Sequence, residues 1–194
     1  MNLHEGWRYM IGQYDIKFPI LLSILIYMLV FTYNTLQPHF AENVFNGGAA
    51  FYGYINAATG FGALISTLFI ASQKNSVHLK QLLFFNLILL GSGLFIMSFI
   101  RLFPLYLLFG AICGFGIMST MPICNTIIQT VASSQMRGRV IGFFTMATLG
   151  AIPLGSLLIG WITNFISVEL CQAGQGILCL LISICFYGYF NRKK

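Results

Sequence analysis

The notable polar side chains inside the apolar stretches of this sequence are Asn34, Asn56, Asn86 and Asn125, with Gln37 close behind Asn34. Amides donate and accept hydrogen bonds but do not titrate near neutral pH, so their chemistry is recognition or helix-to-helix bonding rather than bond cleavage. The groups that catalysis uses are dispersed. His4, His39 and His78 fall in separate segments, a spacing that does not gather a metal. Cys113, Cys124, Cys171, Cys179 and Cys185 form no C-x-x-C pair, and their odd number argues for buried thiols rather than a disulfide framework. The sequence contains no phosphate-binding glycine loop, nucleophile elbow or zinc-binding helix motif. No catalytic residue, metal or cofactor is expected, and the residues point away from an enzyme.

The surrounding sequence dictates what positions these amides. Of the 194 residues, 58% are hydrophobic and 7% are charged, where soluble domains carry about 25% charge. Six runs lack Asp, Glu, Lys and Arg: Phe18–Phe40, Phe51–Ala71, Leu82–Ile100, Leu105–Ile127, Val140–Trp161 and Leu170–Tyr189, each 19 to 23 residues long. About 20 apolar residues at 1.5 Å each cross a hydrocarbon core of roughly 30 Å. The runs are apolar all round, unlike the alternating strands of a barrel, and in lipid a helix satisfies its own backbone. The expected fold is an all-α membrane protein, with a six-helix transmembrane bundle over residues 18–190.

The charges then set the orientation. Arg8, Lys17, Lys74, Lys80, Arg137, Arg139, Arg192, Lys193 and Lys194 fall on one side of such a bundle, and Arg101 alone falls on the other. Basic loops face the cytoplasm, so both termini are expected there, in a multi-pass protein of the inner (plasma) membrane. This distribution accounts for the net charge of +6 without nucleic acid. Residues 1–17 are too polar for a signal peptide. Their Leu3, Trp7, Met10, Ile11 and Tyr14 recur at helical spacing and read as an amphipathic segment lying in the cytoplasmic interface. Residues 191–194 read as a basic cytoplasmic tail.

Small residues and prolines punctuate the spans. Gly110 and Gly114, then Ala147, Ala151 and Gly155, form stripes that let helices approach closely. Pro38, Pro122 and Pro153 interrupt the first, fourth and fifth spans, where each removes a backbone donor and is expected to kink its helix. Asn34 and Asn56 both lie about 8 Å below one membrane surface at 1.5 Å per residue. Bonding to each other and lining a polar cavity are both open to them.

A more specific pattern joins the fourth and fifth spans. Gln135-Met-Arg-Gly-Arg-Val-Ile-Gly142, followed by Phe-Phe-Thr-Met-Ala-Thr-Leu-Gly-Ala-Ile-Pro-Leu-Gly-Ser156, resembles the stretch between the tenth and eleventh helices of major facilitator superfamily exporters, in the enterobactin-exporter and macrolide-efflux-like branch. The opening Leu3-His-Glu-Gly-Trp-Arg-Tyr9 and the later Pro38-His-Phe-Ala-Glu-Asn-Val-Phe45 resemble the start of that group's C-terminal half. The resemblance implies two six-helix halves around a central cavity, each built from inverted three-helix repeats. It makes residues 1–17 linker-like, places the first, second, fourth and fifth helices on the cavity, and turns the third and sixth to lipid. Tyr33, Asn34, Asn56 and Asn125 then become candidates for the cavity wall. The loop Ser72–Lys80 departs from the family by lacking its acid and glycines, while Arg137 and Arg139 serve as topology anchors or as gating contacts.

The function that the resemblance implies is export of a siderophore, macrolide or similar amphipathic small molecule across the bilayer. A second six-helix half would be the partner. A self-pairing half-transporter and a non-transporting membrane protein that binds or assembles with a partner stand as alternatives.

Overall fold

The computed structural model describes residues 9, 12–72 and 79–191. Among them every regular element is helical, and six helices are long and apolar enough to cross a membrane. Helix α1 (Tyr14–Leu29) begins the first span, which continues to Val44. There follow α2 (Gly48–Ser72), α3 (Leu79–Met97), α4 (Phe103–Val131), α5 (Arg137–Ile162) and α6 (Val168–Asn191). The helices overrun the uncharged stretches because charged residues are tolerated at their ends. Asp15 and Lys80, both well exposed, pair there at 3.6 Å. The third helix ends at Met97, earlier than the expected Ile100, with the Ser98 hydroxyl donating to the Phe95 carbonyl at 2.7 Å. Most of the linker-like segment, the loop Gln73–His78 and Arg192–Lys194 lie outside the described residues.

The first span is not one α-helix. Beyond α1 it passes through a 3-10 segment (Phe31–Leu36), a single α turn (Gln37–His39) and a π turn (Phe40–Val44). Pro38 supplies the reason. It has no N–H for the Asn34 carbonyl, so the Gln37 N–H donates there instead and tightens the preceding turn. The Tyr33 N–H likewise bonds the Val30 carbonyl at 3.0 Å, leaving the Leu29 carbonyl without its α-helical donor. The expected kink at Pro38 is therefore a change of helix type just before it. At three residues per turn, Val30, Tyr33 and Leu36 align on one line, and all three are buried. The chain reverses at Asn46 and Gly48, which take positive φ of 52° and 58°.

The helices form two layers. A front row runs α2, α4, first span, α5, and behind it α3 and α6 pack on each other, with α3 also covering α4. Glycines permit the tightest crossings. A side chain at Gly62 would strike the Ala111 carbonyl, one at Gly114 the Thr59 carbonyl, and one at Gly155 the Met28 carbonyl. In the back layer a methyl group on Gly176 would lie 2.8 Å from the Gly91 carbonyl. The second helix of each three-helix set thus packs on the first helix of the other set, and the third helices pack together, as inverted repeats require. An aromatic group locks the end opposite the termini. Phe45, Phe51, Phe103 and Tyr106 meet with ring centroids 4.1 to 5.2 Å apart, joining the first span, α2 and α4.

Candidate functional site

The front row presents an uncharged wall. Among the described residues Asp15, Lys17, Lys80, Arg137 and Arg139 lie at the end bearing the termini, and Glu42, Arg101 and Glu169 at the other. On α4 the half-exposed or exposed Met118, Pro122, Asn125 and Gln129 recur every three or four residues, so they share one face. Asn125 accepts from Gln129 Nε2 at 3.2 Å, and the Thr126 hydroxyl donates to the Pro122 carbonyl at 2.9 Å. Pro153 is likewise exposed, while Ala151 and Gly155 of the same helix are buried against the first span.

The structure keeps the sequence-selected asparagines apart. Asn34, half-exposed, donates to the Phe31 carbonyl of its own 3-10 turn at 3.2 Å. Asn56 is exposed and donates to the Tyr52 carbonyl at 3.0 Å. Neither bonds the other. The polar tie across this part of the row joins different residues, with the Thr35 hydroxyl donating to Ser156 of α5 at 3.3 Å. Tyr33 is wholly buried beside Thr59, so of the four candidates it alone is withdrawn from the open face.

Tyr33 instead borders a second polar group, between the first span, α4 and α6. The Tyr106 hydroxyl donates to Gln37 Oε1 at 2.9 Å and lies next to Gln172. Gln175 Nε2 donates to the Leu29 carbonyl at 2.9 Å and to the Thr32 hydroxyl at 3.2 Å. The carbonyl released by the 3-10 segment is thus completed by a side chain from α6. Sequence reasoning missed Gln172 and Gln175, although Glu169-x-x-Gln172-x-x-Gln175 places all three on one helical face.

Electrostatic contacts are confined to the ends. Both terminal nitrogens of Arg101 reach Glu169 Oε1, at 3.4 and 3.5 Å, clamping the α3–α4 connection to the start of α6. The Tyr9 hydroxyl accepts from the Ser133 N–H at 3.1 Å, and hydrogen bonds from the Ser133 side chain and backbone hold its phenol below the ordinary value. Arg137 and Arg139 begin α5, where positive charge opposes the helix dipole, so helix stability does not explain their position. The described residues include no cluster of three or more His, Cys, Asp or Glu that could hold a metal.

An apolar, uncharged wall with a few amides suits an amphipathic molecule, held by apolar contact and oriented by sparse hydrogen bonds. Six membrane-length helices in two inverted three-helix sets are an architecture of the major facilitator superfamily. The chain belongs to the transmembrane secretion effector family of that superfamily, whose model matches residues 1–192. It is 32% identical over 108 residues to the multidrug efflux pump Tap of Mycolicibacterium fortuitum, a match covering 56% of this chain and 26% of that one. It is 26% identical to the staphyloferrin A transporter of Staphylococcus aureus (88% of this chain, 42% of that one). To the uncharacterized MFS-type transporter YfmI of Bacillus subtilis it is 23% identical (100% and 48%). The chain spans about half the length, or less, of these curated relatives. No solved structure matches it.

Proposed function

We propose that this chain is the C-terminal six-helix half of a secondary active exporter that moves a siderophore, macrolide or similar amphipathic molecule outward across the inner membrane. The observation that carries the reading is the incomplete front row. Only Ile55, Gly62 and Ser66 of the 25 residues of α2 are buried, and the wall beside it carries Asn34 and Asn125 unopposed by any second layer. A second six-helix half would cover that wall and close a cavity over it. The relatives named for multidrug efflux and for staphyloferrin A support the substrate class. Residues 1–17 are then the link from the other half, residues 18–190 the bundle, and Arg137 and Arg139 anchors to a cytoplasmic surface.

Proton coupling needs a group that takes up and releases a proton within the membrane, and the described charged residues lie at the bundle ends. Proteoliposomes containing this chain alone are therefore expected to show no pH-gradient-driven efflux of a macrolide. Efflux is expected once the N-terminal half of a full-length relative is supplied. Efflux by the chain alone that collapses with a protonophore and persists in His39→Ala would replace this reading with a self-pairing transporter. Absence of efflux with either half-combination would favour a binding or assembly role.

A further inference from the structure

The polar group behind the front row has more hydrogen-bonding capacity than the protein satisfies. Tyr33, Gln37, Gln172 and Gln175 are each at most 2% exposed. Yet Tyr33 Oη, Gln37 Nε2, both amide atoms of Gln172, and Gln175 Oε1 lack a well-formed hydrogen bond in the protein, although Thr59 stands beside Tyr33 and Tyr106 beside Gln172 as weak partners. Buried polar atoms are almost always bonded, because leaving one unbonded costs more than a made bond returns. These atoms belong to the 3-10 segment and α turn of the first span and to α6, and Tyr106 of α4 touches both sides.

The mixture of atoms selects the ligand. Amide N–H groups of Gln37 and Gln172 would repel a cation, and the carbonyl oxygens of Gln172 and Gln175 would repel an anion. The Tyr33 hydroxyl can donate or accept. A small neutral molecule that donates and accepts at once meets all of them, and buried waters typically make about three such bonds. A polar line along α6 leads toward the site. Glu169 at the rim, Gln172 and Gln175 follow one another on a single face, leading inward from the Arg101 clamp.

We propose that Tyr33, Gln37, Tyr106, Gln172 and Gln175 form an internal water-binding site, and that the bound water joins α6 to the 3-10 segment of the first span. The site stands apart from the open wall and does not depend on what the wall carries. Two measurements on the full chain in lipid nanodiscs test it. Hydroxyl radicals generated by X-rays from bound water mark adjacent side chains, even those closed to bulk solvent. In isotopically labelled water Tyr33 and Tyr106 should take up label several-fold above Phe144, an equally buried ring. The second measurement replaces Gln172 by Met, which keeps its length and removes its amide. With water present, Gln172→Met loses real hydrogen bonds and lowers the melting temperature. In a dry cluster it removes two poorly bonded atoms and leaves the melting temperature unchanged or raised. Label at Tyr33 and Tyr106 no higher than at Phe144, or a melting temperature unchanged or raised in Gln172→Met, overturns the proposal. If Gln172→Met does not accumulate, the labelling of the unaltered chain decides alone.

Discussion

At Gln175 a side chain completes a helix that is not its own. Its amide donates to the Leu29 carbonyl at 2.9 Å, the group that the Tyr33 N–H gives up when it turns to Val30. Gln175→Met should therefore leave a part-buried carbonyl without a donor and lower stability by about 1–3 kcal/mol, read by denaturant titration in detergent. Asn56→Ala removes only an exposed bond to the Tyr52 carbonyl, and a change within about 0.5 kcal/mol is expected. Equal effects would contradict the bonding described for the first span. Asn34, Asn56 and Asn125 were legible in sequence because an amide inside a long apolar run stands out. Gln172 and Gln175 are as polar, but sit in the run that the family resemblance turned to lipid. Their importance comes from the Leu29 carbonyl, released when the Tyr33 N–H turns to Val30, which no inspection of α6 alone shows.

Between helices, the glycines differ sharply in what they allow. Gly155 lies against the Met28 carbonyl, whereas Gly150 on the same helix has nothing within 4 Å of a would-be Cβ. Gly155→Leu should lose about 1–3 kcal/mol through overpacking while Gly150→Leu stays close to the parent, compared by thermal unfolding. A parallel contrast holds on α4. Gly114→Ala should reduce the yield of folded protein in the membrane, since its methyl meets the Thr59 carbonyl; Gly110→Ala should not, its nearest neighbour being Thr59 Oγ1 at 3.7 Å. Matching yields of the two variants would mean that α2 and α4 cross more loosely than described. The number and type of the spans were readable from where Lys, Arg, Asp and Glu are missing. The break in the first span was not, because a proline marks itself and not the preceding turn whose bonding register it shifts.

At the scale of the whole molecule the charge distribution predicts an orientation. In a version with its native cysteines replaced, single cysteines at Asn43 and Ser167 should react with an impermeant thiol reagent added outside intact cells, and one at Ser134 should not. All three positions are exposed. Labelling of Ser134 with protection of Asn43 and Ser167 would reverse the assignment of the termini to the cytoplasm. Charges settle only which end of each helix faces which side. They say nothing of lateral order, so the row α2, α4, first span, α5 could not be read from them. That order depends on which glycine meets which carbonyl, as Gly62 meets Ala111 and Gly155 meets Met28.

The sparse cover of α2 also sets a clock. A helix with Ile55, Gly62 and Ser66 as its only buried residues is covered on one side alone, by α4 and the last turns of the first span. Segments with few buried contacts open locally far more often than the rest of a fold. In a growing cell such an opening is an invitation to membrane proteases, and α2 is where they would take hold first. The half-life of the chain in a pulse-chase experiment should lengthen when a second half that covers α2 is made in the same cell. Abundance of this protein would then be governed after synthesis, by the supply of its cover.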